Sequence, residues 1–409
     1  MNPELKNDRW NILLLVGSIL AILIGFLGAA GSILLGVVGL FIGEAVSGYS
    51  SWVLAGIFVG LTLVSVPAGW VALKAIRGEI QTIPKPSPAL FYGSLLLLIV
   101  ALGIGTLAFQ GDILPALLGP PAHVLAALLP VIAIVTLILK RSPTISQRRG
   151  WGHFMAGLWL SPISALILEL IAAIPIVLIL AVAINASLGD DFLLRIWEQP
   201  DLLPEENTVN TILEVLSQPL YGGLILAYLG ILIPLVEEMI KSIGLLPLIR
   251  RQISDAEGFL GGVLAGAGYG LFEALFLGQP GPGWAALMLA RVGATMMHML
   301  TAGLTGLGFA RAKSTKQIGP LIRYYMMAVG LHALWNVAAV LMGVGVAGEA
   351  LESTFITPML GTTLAISGSL ILVILSAGAY YYLRRLPTKL NGPGERDEPQ
   401  SSGVESNSG

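Results

Sequence analysis

The chain has no cysteine among its 409 residues, so disulfide bonds, thiolate metal sites and a cysteine nucleophile are all excluded. Charged residues are scarce: they make up 11% of the chain, against about 25% in soluble domains. Hydrophobic residues make up 55% of it, and the mean hydropathy is +0.84. This composition predicts an all-α polytopic membrane protein, surrounded by the lipid bilayer and with no nucleic acid among its partners.

Ten apolar runs are each long enough to cross a bilayer as a helix. They cover about 11–42, 52–73, 88–110, 119–139, 154–188, 218–249, 258–277, 284–310, 319–343 and 359–383. The first run is long for one membrane helix and short for two, with a possible kink at Gly28–Gly31. We count it once, because a single span there keeps the basic residues on one side of the membrane.

The distribution of lysine and arginine predicts the orientation. With the N-terminus inside, nineteen of the 22 basic residues fall on inner segments, and the outer segments hold only Arg195. The other two, Lys241 and Arg291, lie within spans. The sequence therefore predicts that both termini are cytoplasmic.

Composition also divides the chain into five segments. They are an accessory membrane region of about five spans (1–190), an acidic extracytoplasmic loop (191–217), a four-span core (218–343), a final span (344–386) and a disordered tail (387–409). We interpret the acidic loop as solvated, with a short interfacial helix near Phe192–Trp197, and the tail as disordered because it is rich in Gly, Pro, Ser and acids.

The stretch Leu235–Arg250 places three ionisable residues inside a membrane span: Glu237, Glu238 and Lys241. Such residues are costly in a bilayer, and they usually mark a functional site in the bundle interior. The helical period puts Lys241 on the same face as both carboxylates. Pro234, just before them, removes a helical hydrogen bond and predicts a kink with room for water.

The next three spans carry the other buried polar residues. They are Glu273 beside Phe272, then Arg291 and His298, then His332 and Asn336. His332 and Asn336 share a helix face, as do Arg291 and His298. Close packing of small residues would bring these faces together. Glu169, in the fifth span, is isolated in sequence, and we favour a packing or hydrogen-bonding role for it.

These residues, in this order, resemble the PrsW family of intramembrane proteases, which is related to the CAAX prenyl endopeptidases. The shared pattern is Glu237-Glu238-x-x-Lys241, Phe272-Glu273, His298 and His332-x-x-x-Asn336 on four consecutive spans. The resemblance covers about 218–343. Ala274 departs from it, since the family often has asparagine there.

The resemblance implies an intramembrane endopeptidase, of glutamate or metalloprotease type, in a multi-pass, bacterial-type plasma membrane. Its substrates would be membrane-embedded or membrane-anchored proteins, as in anti-sigma-factor release. The expected roles are Glu237 as general base with Glu238 as its partner, His332 and Asn336 as oxyanion stabilisers, and His298 holding water or substrate. Lys241, Glu273, Phe272 and Arg291 would support them.

A metal ion is an open alternative at this point. His298, His332 and Glu237 would make a His₂Glu ligand set of the kind that binds catalytic zinc. The chain has no HExxH motif, and histidines on separate helices give no ligand spacing to test. The sequence-based expectation is that no metal is obligatory.

Two other classes of protein compete with the protease interpretation. Buried Glu, His and Lys also build ion pathways, so a proton- or ion-coupled transporter is the first alternative. The second is a non-enzymatic membrane scaffold that retains the fold. The lack of an internal repeat disfavours the transporter, and the burial of Glu237, Glu238 and Lys241 disfavours the scaffold.

Overall fold

The computed structural model describes residues 9–42, 45–110, 114–188, 194, 218–248, 253–278, 280–281, 283–350 and 357–390. The described part is helical and contains no strand. Its α-helices are α1 (Arg9–Ile42), α2 (Ala45–Ile76), α3 (Pro88–Ala108), α4 (Leu114–Leu139), α5 (Gln147–Met155), α6 (Ser161–Leu188), α7 (Pro219–Ala227), α8 (Ile233–Lys241), α9 (Asp255–Phe276), α10 (Trp284–Thr315), α11 (Gly319–Ala350) and α12 (Pro358–Leu390).

The ten predicted spans are confirmed: in this part of the chain, ten helices are long and apolar enough to cross a membrane. The first is one unbroken helix of 34 residues, which agrees with counting the apolar run 11–42 as one span. Helix α12 continues to Leu390, past the start of the predicted tail at Pro387. The acidic loop 191–217 and residues 391–409 lie outside the described residues, and the cytoplasmic position of the termini stays a prediction.

Two spans each contain a π-helical turn, which inserts an extra residue into the helix. The turn Ala156–Leu160 joins α5 to α6, and the turn Tyr228–Leu232 joins α7 to α8. Such turns are frequent at functional sites because they rotate the following helix. The predicted irregularity near Pro234 is therefore a π-turn that ends just before it, and Pro234 occupies the first turn of α8, where a missing N–H is tolerated.

Helix α9 lies at the centre of the bundle. It begins with a capping box in which Ser254 and Glu257 bond each other's backbone N–H, and nearly all its residues are buried. Glycine lets α10 approach it closely: a Cβ on Gly266 would lie 2.2 Å from the His298 carbonyl oxygen, and one on Gly262 would lie 2.0 Å from that of Ala302. This contact brings His298 beside the polar residues of α9.

Candidate active site

The polar residues of α8 form a buried cluster around one ammonium group. Lys241 Nζ lies 3.0 Å from Glu237 Oε2 and 2.8 Å from Glu238 Oε1, so the predicted shared helix face is confirmed. The same Nζ lies 2.8 Å from His298 Nδ1 on α10. The Tyr269 ring of α9 lies 4.3 Å from Nζ, a cation–π contact. Four groups on three helices therefore surround Lys241, whose side chain has no exposed surface.

Glu238 is the anchor of the cluster. Its Oε1 accepts hydrogen bonds from Lys241, from Thr301 Oγ1 at 3.0 Å and from His332 Nδ1 at 2.8 Å. Its Oε2 is buried and has no hydrogen-bond partner among the described residues. Thr301 was not predicted; the only signal in the sequence is its position one turn after His298. Glu238 thus ties α8 to α10 and α11.

Glu237 differs from Glu238 in its surroundings. Its side chain keeps 7% of its surface exposed, whereas that of Glu238 is fully buried. Glu237 Oε2 accepts from Lys241 and lies 3.8 Å from His332 Nε2. Of the adjacent pair, Glu237 is therefore the carboxylate that keeps some exposed surface.

Both histidines hold a carboxylate through one ring nitrogen. His298 Nε2 lies 2.8 Å from Glu273 Oε2, and His332 Nδ1 bonds Glu238. Because a carboxylate accepts only, each of these nitrogens carries the proton. The remaining nitrogens therefore carry lone pairs: Nδ1 of His298 faces Lys241 Nζ, and Nε2 of His332 lies 3.8 Å from Glu237 Oε2.

Arg291 and Phe272 support the cluster from outside it. Arg291 forms an ion pair with Glu273, the carboxylate that holds His298. Its Nε is buried, and no described residue gives it a hydrogen-bond partner. Phe272 packs on Phe276, with ring centroids 4.6 Å apart, and Phe276 meets Phe58 of α2. Glu273 thus faces the site, whereas the neighbouring Phe272 packs towards the first half of the bundle.

Asn336 bonds the backbone of a neighbouring helix, and its predicted role in stabilising the oxyanion stays a prediction. Its Nδ2 donates to the Leu229 carbonyl oxygen at 2.9 Å, which belongs to the π-turn before α8. Among the hydrogen bonds of the described residues, none joins Asn336 to the cluster. In this geometry Asn336 fixes α11 against the start of α8.

Two buried histidines in the first half of the chain were missed by sequence reasoning. His153 of α5 lies 2.6 Å from the Gly244 carbonyl oxygen through Nδ1, just beyond Lys241. His123 of α4 accepts from Trp284 Nε1 at 3.0 Å and lies 2.8 Å from the Leu275 carbonyl oxygen. Their only signal was that half of the chain's four histidines lie here. Two histidines of the first five spans therefore contact backbone oxygens close to Lys241 and Glu273.

Glu169 is also better connected than its isolation in sequence indicated. It lies on α6, one turn from Ala165, which packs with Ile240 and Tyr269. The Tyr228 hydroxyl donates to the backbone oxygen of Glu169 at 3.0 Å, whereas Glu169 Oε1 is buried and has no partner within the described ranges. The structure assigns it no bond to the cluster.

Three side chains could hold a metal ion. Glu237, His298 and His332 are buried, and one donor atom from each lies within 4.8 Å of the others. The protonation argument identifies the histidine donors as His298 Nδ1 and His332 Nε2, and the Glu237 oxygen with a short distance to His332 Nε2 is Oε2, at 3.8 Å. The carboxylates on the opposite ring nitrogens give the arrangement usual for metal-binding histidines. The donor set therefore fits a divalent ion such as zinc.

A family model described as PrsW family intramembrane metalloprotease matches residues 161–364. The match begins at the first residue of α6 and includes every residue of the cluster. It extends beyond the 218–343 segment that carried the sequence resemblance. No curated protein and no solved structure matches the chain. The description favours a metal, against the expectation that none is obligatory.

Proposed function

Because the chain belongs to the PrsW family of intramembrane metalloproteases, we propose that it is an endopeptidase that cuts membrane-embedded or membrane-anchored proteins, with Glu237 activating the attacking water. The observation that carries the proposal is the position of Glu237. It is the less deeply buried carboxylate of the pair, and its Oε2 lies 3.0 Å from Lys241 Nζ and 3.8 Å from His332 Nε2. Regulated proteolysis of the anti-sigma-factor kind, in a bacterial-type plasma membrane, fits a site buried among membrane helices.

The proposed metal ligands are Glu237 Oε2, His298 Nδ1 and His332 Nε2. A divalent ion there would polarise the scissile carbonyl and acidify the attacking water. Glu237 has a second oxygen, Oε1, which is the proposed acceptor of the water's proton. This assignment keeps Glu237 as the base while its other oxygen serves as a ligand.

The other residues hold these three in place. Glu238 and Glu273 fix the ring orientation and the tautomer of His332 and His298. Arg291 balances the charge of Glu273. We assign Asn336 to positioning rather than to the oxyanion, because its amide bonds the π-turn. The catalytic residues lie within 218–343, and the first five spans support them through His153 and His123.

The test compares new protein N-termini in membranes from cells that carry the native chain or Glu237→Gln. We expect particular cleavage products to disappear with Glu237→Gln, because the amide cannot accept the proton. The matched control is Glu79→Gln, the same change on an exposed loop, which should leave every product in place. Identical product profiles for the native chain and a folded, abundant Glu237→Gln variant would overturn the proposed function.

A further inference from the structure

We propose that Lys241 is a built-in competitor of the metal: its ammonium occupies two of the three ligand atoms, and the ion binds only when Lys241 leaves them. The inference rests on the proposed ligand set. It gives Lys241 a role in metal binding, in addition to its ion pairs with the carboxylates of Glu237 and Glu238.

The competition follows from the contacts of Nζ. Two of its partners are Glu237 Oε2, at 3.0 Å, and His298 Nδ1, at 2.8 Å. Both are proposed ligand atoms, and an ammonium hydrogen engages a lone pair of each. The His298 lone pair that receives Lys241 is the only one on that nitrogen, so it cannot also bind an ion.

Charge opposes joint occupancy as well. A zinc ion bound by His298 Nδ1 at about 2.0–2.1 Å would lie within about 5 Å of Nζ, given the 2.8 Å between Nδ1 and Nζ. The site is buried, so little water screens the two positive charges from each other. An ammonium and a divalent ion sharing these ligands would therefore repel strongly.

Glu238 gives the displaced ammonium a place to go. It already accepts from Lys241 through Oε1 at 2.8 Å, and it is not one of the proposed ligands. Its Oε2 is a buried carboxylate oxygen without a hydrogen-bond partner in the part of the chain that the structure describes. Lys241 can keep Glu238 while it releases Glu237 and His298. A buried oxygen without a partner is otherwise costly, and this movement gives it one.

The consequence is that Lys241 sets the metal affinity. In the native site the incoming ion must displace the Lys241 ammonium. The free energy required for this displacement weakens the binding of the ion. A neutral side chain at this position removes that cost, and we expect zinc to bind about tenfold or more tightly, a change of the size that outer-shell residues of metal sites produce.

The test measures zinc affinity of the purified, metal-stripped full chain by competition with a chromophoric zinc chelator. The variants are Lys241→Met and Lys241→Gln, the latter retaining an amide donor for Glu238. Lys389→Met is the control on the exposed end of α12. The double variant Lys241→Met/Glu237→Gln should lose the gain. Equal or weaker zinc binding by folded Lys241→Met and Lys241→Gln would overturn the proposal.

A second measurement uses the native chain and does not depend on the variants folding. Structures with and without zinc should show Nζ within hydrogen-bond distance of Glu238 in both, and of Glu237 Oε2 only in the metal-free form. An ion at the ligands with Nζ still on Glu237 Oε2 and His298 Nδ1 would contradict the competition. Loss of proteolysis in Glu237→Gln is a separate result, so either proposal can fail while the other stands.

Discussion

The imidazole rings of His298 and His332 meet edge to face, with centroids 5.1 Å apart and planes at 88°. Each ring is held from behind by its own carboxylate, Glu273 or Glu238. The two rings come from helices α10 and α11, so their meeting depends on how these helices pack. This pair, with Glu237 beside it, is the structural basis for the proposed metal chemistry.

Removal of divalent metal should abolish proteolysis. A membrane-permeable chelator deprives Glu237, His298 and His332 of the ion that their donor atoms fit, whereas the hydrogen bonds of Lys241 and Glu238 keep the cluster assembled. We therefore expect loss of activity without loss of fold. Cleavage of a membrane substrate and the thermal unfolding of the protein, measured on the same sample, check this.

Addition of zinc to the chelated protein should restore cleavage, and addition of magnesium should not, because imidazole nitrogen is a poor ligand for magnesium. Full activity in protein shown by elemental analysis to hold no metal would mean that Glu237 works without an ion, as the sequence alone led us to expect.

Glu238→Ala should destabilise the protein more than Glu237→Ala does. Glu238 is fully buried and accepts from three donors, and its removal leaves Lys241 and His332 without that partner. Removing one member of a buried ion pair typically costs about 3–5 kcal/mol. Among the described residues, Lys241 is the one charged donor that bonds Glu237. When Glu237 is removed, Lys241 still pairs with Glu238. Thermal unfolding of both variants in detergent provides the comparison.

The double variant Glu238→Ala/Lys241→Met is the internal control. The two residues contact each other directly, so their effects should not add. The double variant should cost less than the sum of the single ones, because it leaves no uncompensated ammonium. Additive costs, or equal costs for Glu237→Ala and Glu238→Ala, would contradict the role of Glu238 as the anchor.

Much of this fold and part of this site follow from the sequence, because hydropathy and helical period are local properties. The ten spans and the contacts of Lys241 with Glu237 and Glu238 needed no knowledge of helix packing. The bonds between Glu238 and His332, or Glu273 and His298, join residues far apart in the chain. Motif resemblance could place them in one site, but only the rotation of each helix decides which nitrogen meets which oxygen.

Other features of the site have no recognisable signal in the sequence. The π-turn Tyr228–Leu232 is one extra residue in an apolar helix, and it supplies the carbonyl that Asn336 bonds. The sequence does not reveal this π-turn. It therefore predicts that the Asn336 amide, one helical turn after His332, stabilises an oxyanion. A single histidine in an apolar span, such as His123 or His153, looks the same whether it packs, binds or positions another helix.

Gly266→Ala should separate α9 from α10 and impair the site. The added Cβ would lie 2.2 Å from the His298 carbonyl oxygen, and a backbone atom cannot move aside without moving its helix. Overpacking of this kind typically costs about 1–3 kcal/mol. Because His298 would shift relative to Glu273 and Lys241, zinc affinity and proteolysis should both fall.

Gly103→Ala is the matched control for this change. Gly103 is also a helix glycine, but nothing lies within 4 Å of the position its Cβ would take. Alanine there should be neutral or stabilising by up to about 1 kcal/mol, since it has the higher helix propensity. Equal behaviour of the two variants in unfolding and zinc-binding measurements would show that the contact of Gly266 with α10 is not needed.

His153→Ala should lower turnover although His153 does not contact the cluster. Its Nδ1 holds the Gly244 carbonyl oxygen at 2.6 Å, in the 3₁₀ segment Ser242–Leu248 that follows Lys241. Without this bond, a buried carbonyl loses its partner, at a typical cost of about 1–3 kcal/mol. The end of α8 becomes less well fixed, so Lys241 and Glu237 are misaligned.

A positioning role predicts a specific pattern in the kinetics and a rescue. His153→Ala should reduce kcat and leave KM nearly unchanged, because His153 is buried and offers no surface for a substrate to bind. His153→Gln, which retains an N–H donor, should recover most of the lost kcat and of the unfolding temperature. A variant that loses stability but keeps kcat at temperatures where it is folded would show that His153 stabilises the bundle without aligning the site. Since α5 lies outside the matched segment 161–364, a kcat effect would also establish that the first spans contribute to catalysis.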